Sequence, residues 1–217
     1  MVKIKICGIT NLEDARAAIE AGTDMLGFNF YRASPRFIEP KNARAIIELL
    51  RSDAELSMRK VTMVGVFVDE VSPESLAGVA KEAGVDAVQL HGDDSVEFCK
   101  AVKTLLGDRI LIKVLRVGDE FEPTEAARYD VDAIMLDAFH SELRGGTGRL
   151  VDWEIARRTV ERVPRLFLAG GLAPENVADA IAAVRPYGVD ACSALESSRG
   201  KKNAERMKEF VRAARNE

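Results

Sequence analysis

Eight times along this chain a short apolar run passes through a turn signal toward a stretch with helical spacing. No other feature narrows the choice of fold so far. The runs predict strands at 3–7, 25–31, 61–68, 87–91, 110–115, 133–137, 165–170 and 189–195. The first helix is expected to open at the Thr-x-x-Glu pattern of Thr10 and Glu13, to bury Leu12, Ala15 and Ile19, and to stop at Gly22. Further helices are expected at 40–50, from the Ser72 cap with Pro73 in the first turn to Gly84, at 94–106, from Asp152 to 163, at 175–184, and around Met207, Phe210, Val211 and Ala214. Between 116 and 130, Gly118, Pro123 and several acids leave room only for a short or degenerate helix over 124–129.

Repeated strand–helix units build either an open doubly wound sheet or a closed eightfold barrel, and a count of eight at even spacing favours closure. The units share no consensus beyond hydrophobic pattern, which sets a leucine-rich solenoid aside. The expected fold is therefore α/β, a single-domain (βα)8 TIM barrel over 1–217, and 217 residues with 47% hydrophobic content suffice for one core. A formal net charge of -4 gives no footprint for nucleic acid or anionic membrane. The N-terminus lacks a signal-peptide pattern and no apolar run reaches spanning length, so a cytoplasmic location is expected. Three widely spaced cysteines, Cys7, Cys99 and Cys192, suit reduced thiols, and no Cys or His spacing suggests a metal.

In such barrels chemistry sits at the C-terminal ends of the strands. The first strand alternates Ile4 and Ile6 against Lys3, Lys5 and Cys7, a charged and reactive face that is unusual in a parallel sheet. Reading parity along the other strands gives a polar ring of Cys7, Asn29, Asp69, His91 and Asp137, with either Asp190 and Cys192 or Ala191 and Ser193 on the eighth. Such a ring implies a small polar substrate. Gly170 and Gly171 after strand seven, and the 193–200 segment after strand eight, occupy the loops where these barrels commonly hold phosphate, which implies that the substrate is phosphorylated.

Several motifs together carry a resemblance: Lys5-Ile-Cys-Gly-Ile-Thr10, Gly27-Phe-Asn-Phe-Tyr31 with Ser34-Pro-Arg36, Val64-Gly-Val-Phe-Val68, Val88-Gln-Leu-His-Gly92, Leu136-Asp137, Gly145-Gly-Thr-Gly148 with Asp152-Trp153, 168–177 and Gly188-Val-Asp190. From end to end the chain resembles the phosphoribosylanthranilate isomerases of tryptophan biosynthesis. The resemblance implies an enzyme without cofactor, acting on a phosphorylated sugar–anthranilate. Cys7 would be the general base and Asp137 the general acid. Arg36 would hold the anthranilate carboxylate, with His91 and Asp190 as further substrate-binding positions and Gly170, Gly171, Ser193 and Ala194 at the phosphate. A monomer or a homodimer is expected.

The residue types suit the chemistry, since an Amadori rearrangement needs an acid to open the furanose and a base to take the C2′ proton. A thiol near its ordinary pKa is mostly protonated at neutral pH, so Cys7 would gain from the Lys5 cation two residues earlier on the same face. The family's usual Val-Ser-Ser-Gly-Val-Glu after Gly-Val-Asp is replaced by Ala191-Cys192-Ser193-Ala194-Leu195-Glu196. Ala194 thus brings a Cβ to a place where backbone should approach phosphate. The related sugar isomerase of histidine biosynthesis, or a bifunctional barrel handling both substrates, would place an aspartate at position 7, so Cys7 argues against both. A barrel that binds such a metabolite without turnover is the rival from another class.

Overall fold

In the computed structural model, which describes residues 1–70, 72–118, 120–138 and 153–216, the strands lie side by side in chain order and the eighth returns to the first. The elements are β1 (Lys3–Cys7), α1 (Leu12–Ala21), β2 (Met25–Asn29), α2 (Pro40–Ser52), α3 (Ala54–Ser57), β3 (Thr62–Phe67), α4 (Pro73–Ala83), β4 (Ala87–Leu90), α5 (Val96–Leu106), β5 (Ile110–Val117), α6 (Pro123–Ala126), β6 (Ala133–Ala138), α7 (Trp153–Val160), β7 (Leu166–Leu168), α8 (Val177–Val184), β8 (Gly188–Ala191), β9 (Glu196–Ser198), β10 (Lys201–Lys202) and α9 (Ala204–Arg215). β1 to β8 form one closed parallel barrel, and β9 and β10 a small antiparallel hairpin. Among the described residues no helix is long and apolar enough to cross a membrane.

Strand parity divides the apolar residues between two cores. Ile4, Ile6, Leu26, Phe28, Val88, Leu90, Ile134 and Leu136 point outward and pack under the helices. Met25, Val64, Ala87, Ile112, Val114, Ala133, Met135 and Phe167 fill the barrel itself. The filling is a fitted one: a Cβ on Gly188 would come within 2.3 Å of the Phe167 ring, so the large residue on β7 needs the glycine beside it on β8. Outside, α2 presents Ala43, Ile46, Ile47 and Leu50 to the sheet at spacings of three and four. Each of its large side chains gains about 1.5–3 kcal/mol by burial.

Ser72 and Ser95 cap α4 and α5 as their sequences require. α1 departs from expectation, because its cap is Asn11, whose side chain accepts from the Asp14 amide at 2.8 Å. The Thr10 hydroxyl instead donates to the Gly200 carbonyl at 2.7 Å, drawn off by the loop that follows the last barrel strand. The single turn of α6 is the degenerate helix expected between β5 and β6. β8 is shorter than expected: it stops at Ala191, and Ser193–Leu195 form a 3₁₀ turn. α3 and the β9–β10 hairpin were not foreseen, being too short to show a period. The Gly145–Gly148 motif and the expected helix start at Asp152 lie outside the described residues.

Candidate active site

Alternation along the strands delivers the polar groups to one place. Cys7 of β1, Asn29 of β2, Gln89 of β4, Asp137 of β6 and Asp190 of β8, with His91 just past β4, line a cleft of about 420 Å³ at the C-terminal mouth, with Arg36, Gly170, Gly171, Ser193 and Ala194 among its remaining walls. One member of the expected ring is elsewhere. Val66 and Val68 take the inward positions of the third strand. Asp69 lies past the strand's end, at φ 51°, against Gly92. Parity stops being informative where the chain leaves the pleat. On the eighth strand the open choice resolves to Asp190, which the β1–β8 register sets opposite Lys5.

Lys5 is fully buried beneath the cleft, its Nζ 2.7 Å from Asp190 Oδ1. Burial alone would lower it, yet the charges of Asp190 and then Cys7 outweigh burial and hold it above the usual lysine range, so it is a cation. Burial pushes Asp190 up to about 6, against the pull of Lys5. Cys7 has room because β2 carries Gly27 beside it, where a Cβ would stand 2.7 Å from its sulfur. The thiol is drawn well below the ordinary range, first by the Cys192 thiol placed to hydrogen-bond to it, and, against burial, by the cations Lys5 and Lys202. Cys192 moves upward through the same hydrogen bond and its burial. Of the two sulfurs, then, Cys7 is the one drawn toward the thiolate and Cys192 the one drawn toward the thiol. Lys5 acts in the expected direction, behind Cys192.

Asp137 is 7% exposed, and His91 Nε2 lies 3.1 Å from its Oδ2. His91 thus both faces the cleft and orients the carboxyl. Arg36 stands on the loop after β2, which is folded on itself by Asn29 Nδ2 donating to Ser34 Oγ at 3.2 Å and the Arg36 amide donating to the same oxygen at 3.1 Å. Its guanidinium is already engaged: Nε and Nη2 make a fork with Glu196 at 2.7 and 2.8 Å. The Nη1 group is not used in that pair. Buried Lys202 braces the same carboxylate at 3.1 Å. Gly8, at φ +79°, lets these parts meet, since a Cβ there would lie 2.7 Å from Arg36 Cδ and 2.9 Å from Cys192 Sγ.

Across the cleft, Gly170 and Gly171 both adopt left-handed backbone, at φ 80° and 76°. Asn176 pins their turn, donating to the Gly171 carbonyl at 3.0 Å and accepting from the Ala173 amide at 2.9 Å. Among the described residues, the amides of Gly170, Gly171, Ser193 and Ala194 donate no hydrogen bond within the protein. Four unspent N–H groups lining one cleft suit an anion.

The family model described as N-(5′-phosphoribosyl)anthranilate (PRA) isomerase matches residues 4–213. The chain belongs to this isomerase family. It is 43% identical over 215 residues to the N-(5′-phosphoribosyl)anthranilate isomerase of Trichlorobacter lovleyi, covering 99% of this chain and 98% of that one. Among solved structures it is similar to the phosphoribosyl anthranilate isomerase of Thermotoga maritima, at 40% identity and TM-score 0.89 over 100% of both chains. It is also similar to a phosphoribosyl anthranilate isomerase in complex with reduced 1-(o-carboxyphenylamino)-1-deoxyribulose 5-phosphate, at 39% identity and TM-score 0.85 over 100% of both chains.

For a member of the isomerase family, Ala194 was the expected weak point. It does not occupy left-handed backbone. Its carbonyl accepts from Arg206 Nε at 2.7 Å, and its amide stays available. The 3₁₀ turn therefore accommodates the Cβ without strain. The braces Glu196 and Lys202 were missed as parts of the site. Glu196 stood in the family-like segment and was readable there, whereas nothing in a Gly-Lys-Lys sequence distinguishes a buried lysine from a solvated one. Gln89, buried with its Oε1 unpartnered among the described residues, was also missed, although it stands on the inward parity of His91.

Proposed function

We propose that the chain isomerises N-(5′-phosphoribosyl)anthranilate to 1-(2-carboxyphenylamino)-1-deoxyribulose 5-phosphate in tryptophan biosynthesis, by general acid–base catalysis. The observation that carries this reading is the pair lining one cleft: a thiol drawn below the ordinary range at Cys7 on β1, and a buried carboxyl at Asp137 on β6. Asp137, oriented by His91, gives its proton to the furanose ring oxygen as the C1′–O bond breaks and the anthranilate nitrogen forms the cationic imine. Cys7 then takes the C2′ proton, and the electron pair moves to neutralise the imine, leaving an enol that becomes the ketose. The ring oxygen gains a proton and C2′ loses one, so no external reactant is consumed.

The charged groups of the substrate match groups that line the cleft. The unspent amides at 170–171 and 193–194 suit the phosphate, and Arg36, fixed by Glu196, turns its remaining donors to the anthranilate carboxylate. Asp190 and His91 complete the polar wall along the sugar. The three cysteines are free, which fits a cytoplasmic enzyme, and the assembly is a monomer or a homodimer, a choice that sedimentation decides.

The test is to add purified protein to phosphoribosylanthranilate and follow the loss of anthranilate-type fluorescence. Cys7→Ser and Asp137→Asn should each lower kcat by about 10²–10⁴ while binding of a product analogue persists. A wild-type chain that binds the analogue but never turns substrate over would make this a metabolite-binding barrel instead.

A further inference from the structure

Cys192 stands in this chain where the family resemblance led us to expect serine, and the fold sets it beside the proposed base. The β1–β8 register runs Lys5 opposite Asp190 and Ile6 opposite Ala191, so the next pair, one step beyond the last strand residue of β8, is Cys7 and Cys192. Neighbouring strands lie about 4.8 Å apart, within the roughly 4.4–6.8 Å between Cα atoms that a disulfide spans. Two glycines clear the space for sulfur. Gly27 makes way for Cys7 Sγ, and Gly8, next to Cys7 in the chain, makes way for Cys192 Sγ. Both sulfurs border the open cleft, so a small oxidant reaches them by the substrate's route.

We propose that Cys7 and Cys192 are a modification site, a dithiol that hydrogen peroxide converts into a disulfide joining the adjacent ends of the first and eighth strands, and that a reducing dithiol restores. In the first step the Cys7 thiolate attacks one oxygen of the peroxide. The O–O bond breaks, and hydroxide leaves to take a proton from solvent as water; Cys7 becomes the sulfenic acid. In the second, Cys192 releases its proton and attacks the Cys7 sulfur, expelling hydroxide, which leaves as water. Two thiols have then lost two electrons and two protons to one peroxide. The surroundings favour this course. Lys202 Nζ lies 3.8 Å from Cys192 Sγ and Lys5 is buried below Cys7, two cations that stabilise the thiolates in turn. Cys99 is no competitor, for it is buried against the outer core on α5, where burial pushes its thiol up to about 11.

The chemistry is read by peptide mapping, which does not depend on turnover, so it stands or falls separately from the isomerase reading; only the loss of activity rests on that reading. Wild-type protein is treated with hydrogen peroxide, unfolded in the presence of an alkylating reagent and digested. The expected product is a peptide joining Cys7 to Cys192, lighter by two hydrogens than its parts, with Cys99 alkylated. Isomerase activity should fall at least about tenfold and return with dithiothreitol. In Cys192→Ser the same treatment should leave Cys7 as a sulfenic acid that dimedone traps, with no joined peptide. Cys99→Ser, which touches neither strand, should cross-link like wild type. Recovery of Cys7 and Cys192 on separate peptides from oxidised wild type, whether alkylated or carrying oxygen, overturns the proposal.

Discussion

At residue scale the chemistry of the cleft depends on who holds the proton between two adjacent sulfurs. A base works only when ionised, so a Cys7 held below the ordinary thiol range keeps its activity toward lower pH. Removing the largest cause of that lowering, as in Cys192→Ala, should move the acid limb of the kcat/KM profile to higher pH, and Lys5→Met should move it less. A limb that stays in place in both variants would dismiss this account of the thiol. Arg36 makes a separate case, because its value lies in geometry as well as charge. Arg36→Lys keeps the charge but loses the fork to Glu196, and a charge-assisted hydrogen bond is worth about 1.5–3 kcal/mol. KM should therefore rise roughly tenfold or more with kcat little changed, a split that steady-state kinetics resolves. The types and spacings of Cys7, Arg36 and Asp137 were visible in the sequence. That Cys192 would pair with Cys7, and Glu196 and Lys202 with the Arg36 side, was not, since a partner far away in the chain leaves no local period.

At the scale of elements, strands aim the groups and glycines admit them. Gly27 on β2 exists for the neighbouring strand's thiol, so Gly27→Ala should displace Cys7 and cut kcat by roughly tenfold to a hundredfold. The far-UV circular dichroism should stay unchanged; retention of full kcat would show that the sulfur has no need of that space. Caps and periods made most helix positions legible, and Ser72, Ser95 and Gly84 behave as their types predict. The exceptions share a cause. Thr10 gave up its capping role to a loop 190 residues away, β8 ended early because the chain turns into the 3₁₀ segment that presents Ser193 and Ala194, and Asp69 left the ring where its strand left the sheet. In the first a long-range contact overruled a local preference; in the others the strand ended before the pattern did.

At the scale of the whole molecule, closure joins the first strand to the last, and Lys5–Asp190 is the ion pair buried in that seam. Taking away one member strands the other's charge. Lys5→Met should lower unfolding free energy by about 3–5 kcal/mol, and Lys5→Met with Asp190→Leu by clearly less, both read from urea denaturation. Equal losses would mean that the pair adds nothing as a pair. The eightfold alternation already determined the barrel, the mouth at the strand ends and the inward face of β1, because strand and helix periods and the hand of their connections leave few other ways to bury so many apolar runs. Only the tertiary structure decided what draws the Cys7 thiol down, what Arg36 leans on, and that Cys7 and Cys192 face each other. Those depend on distances between residues up to 185 positions apart, which arise from closure and are written in no single stretch of sequence.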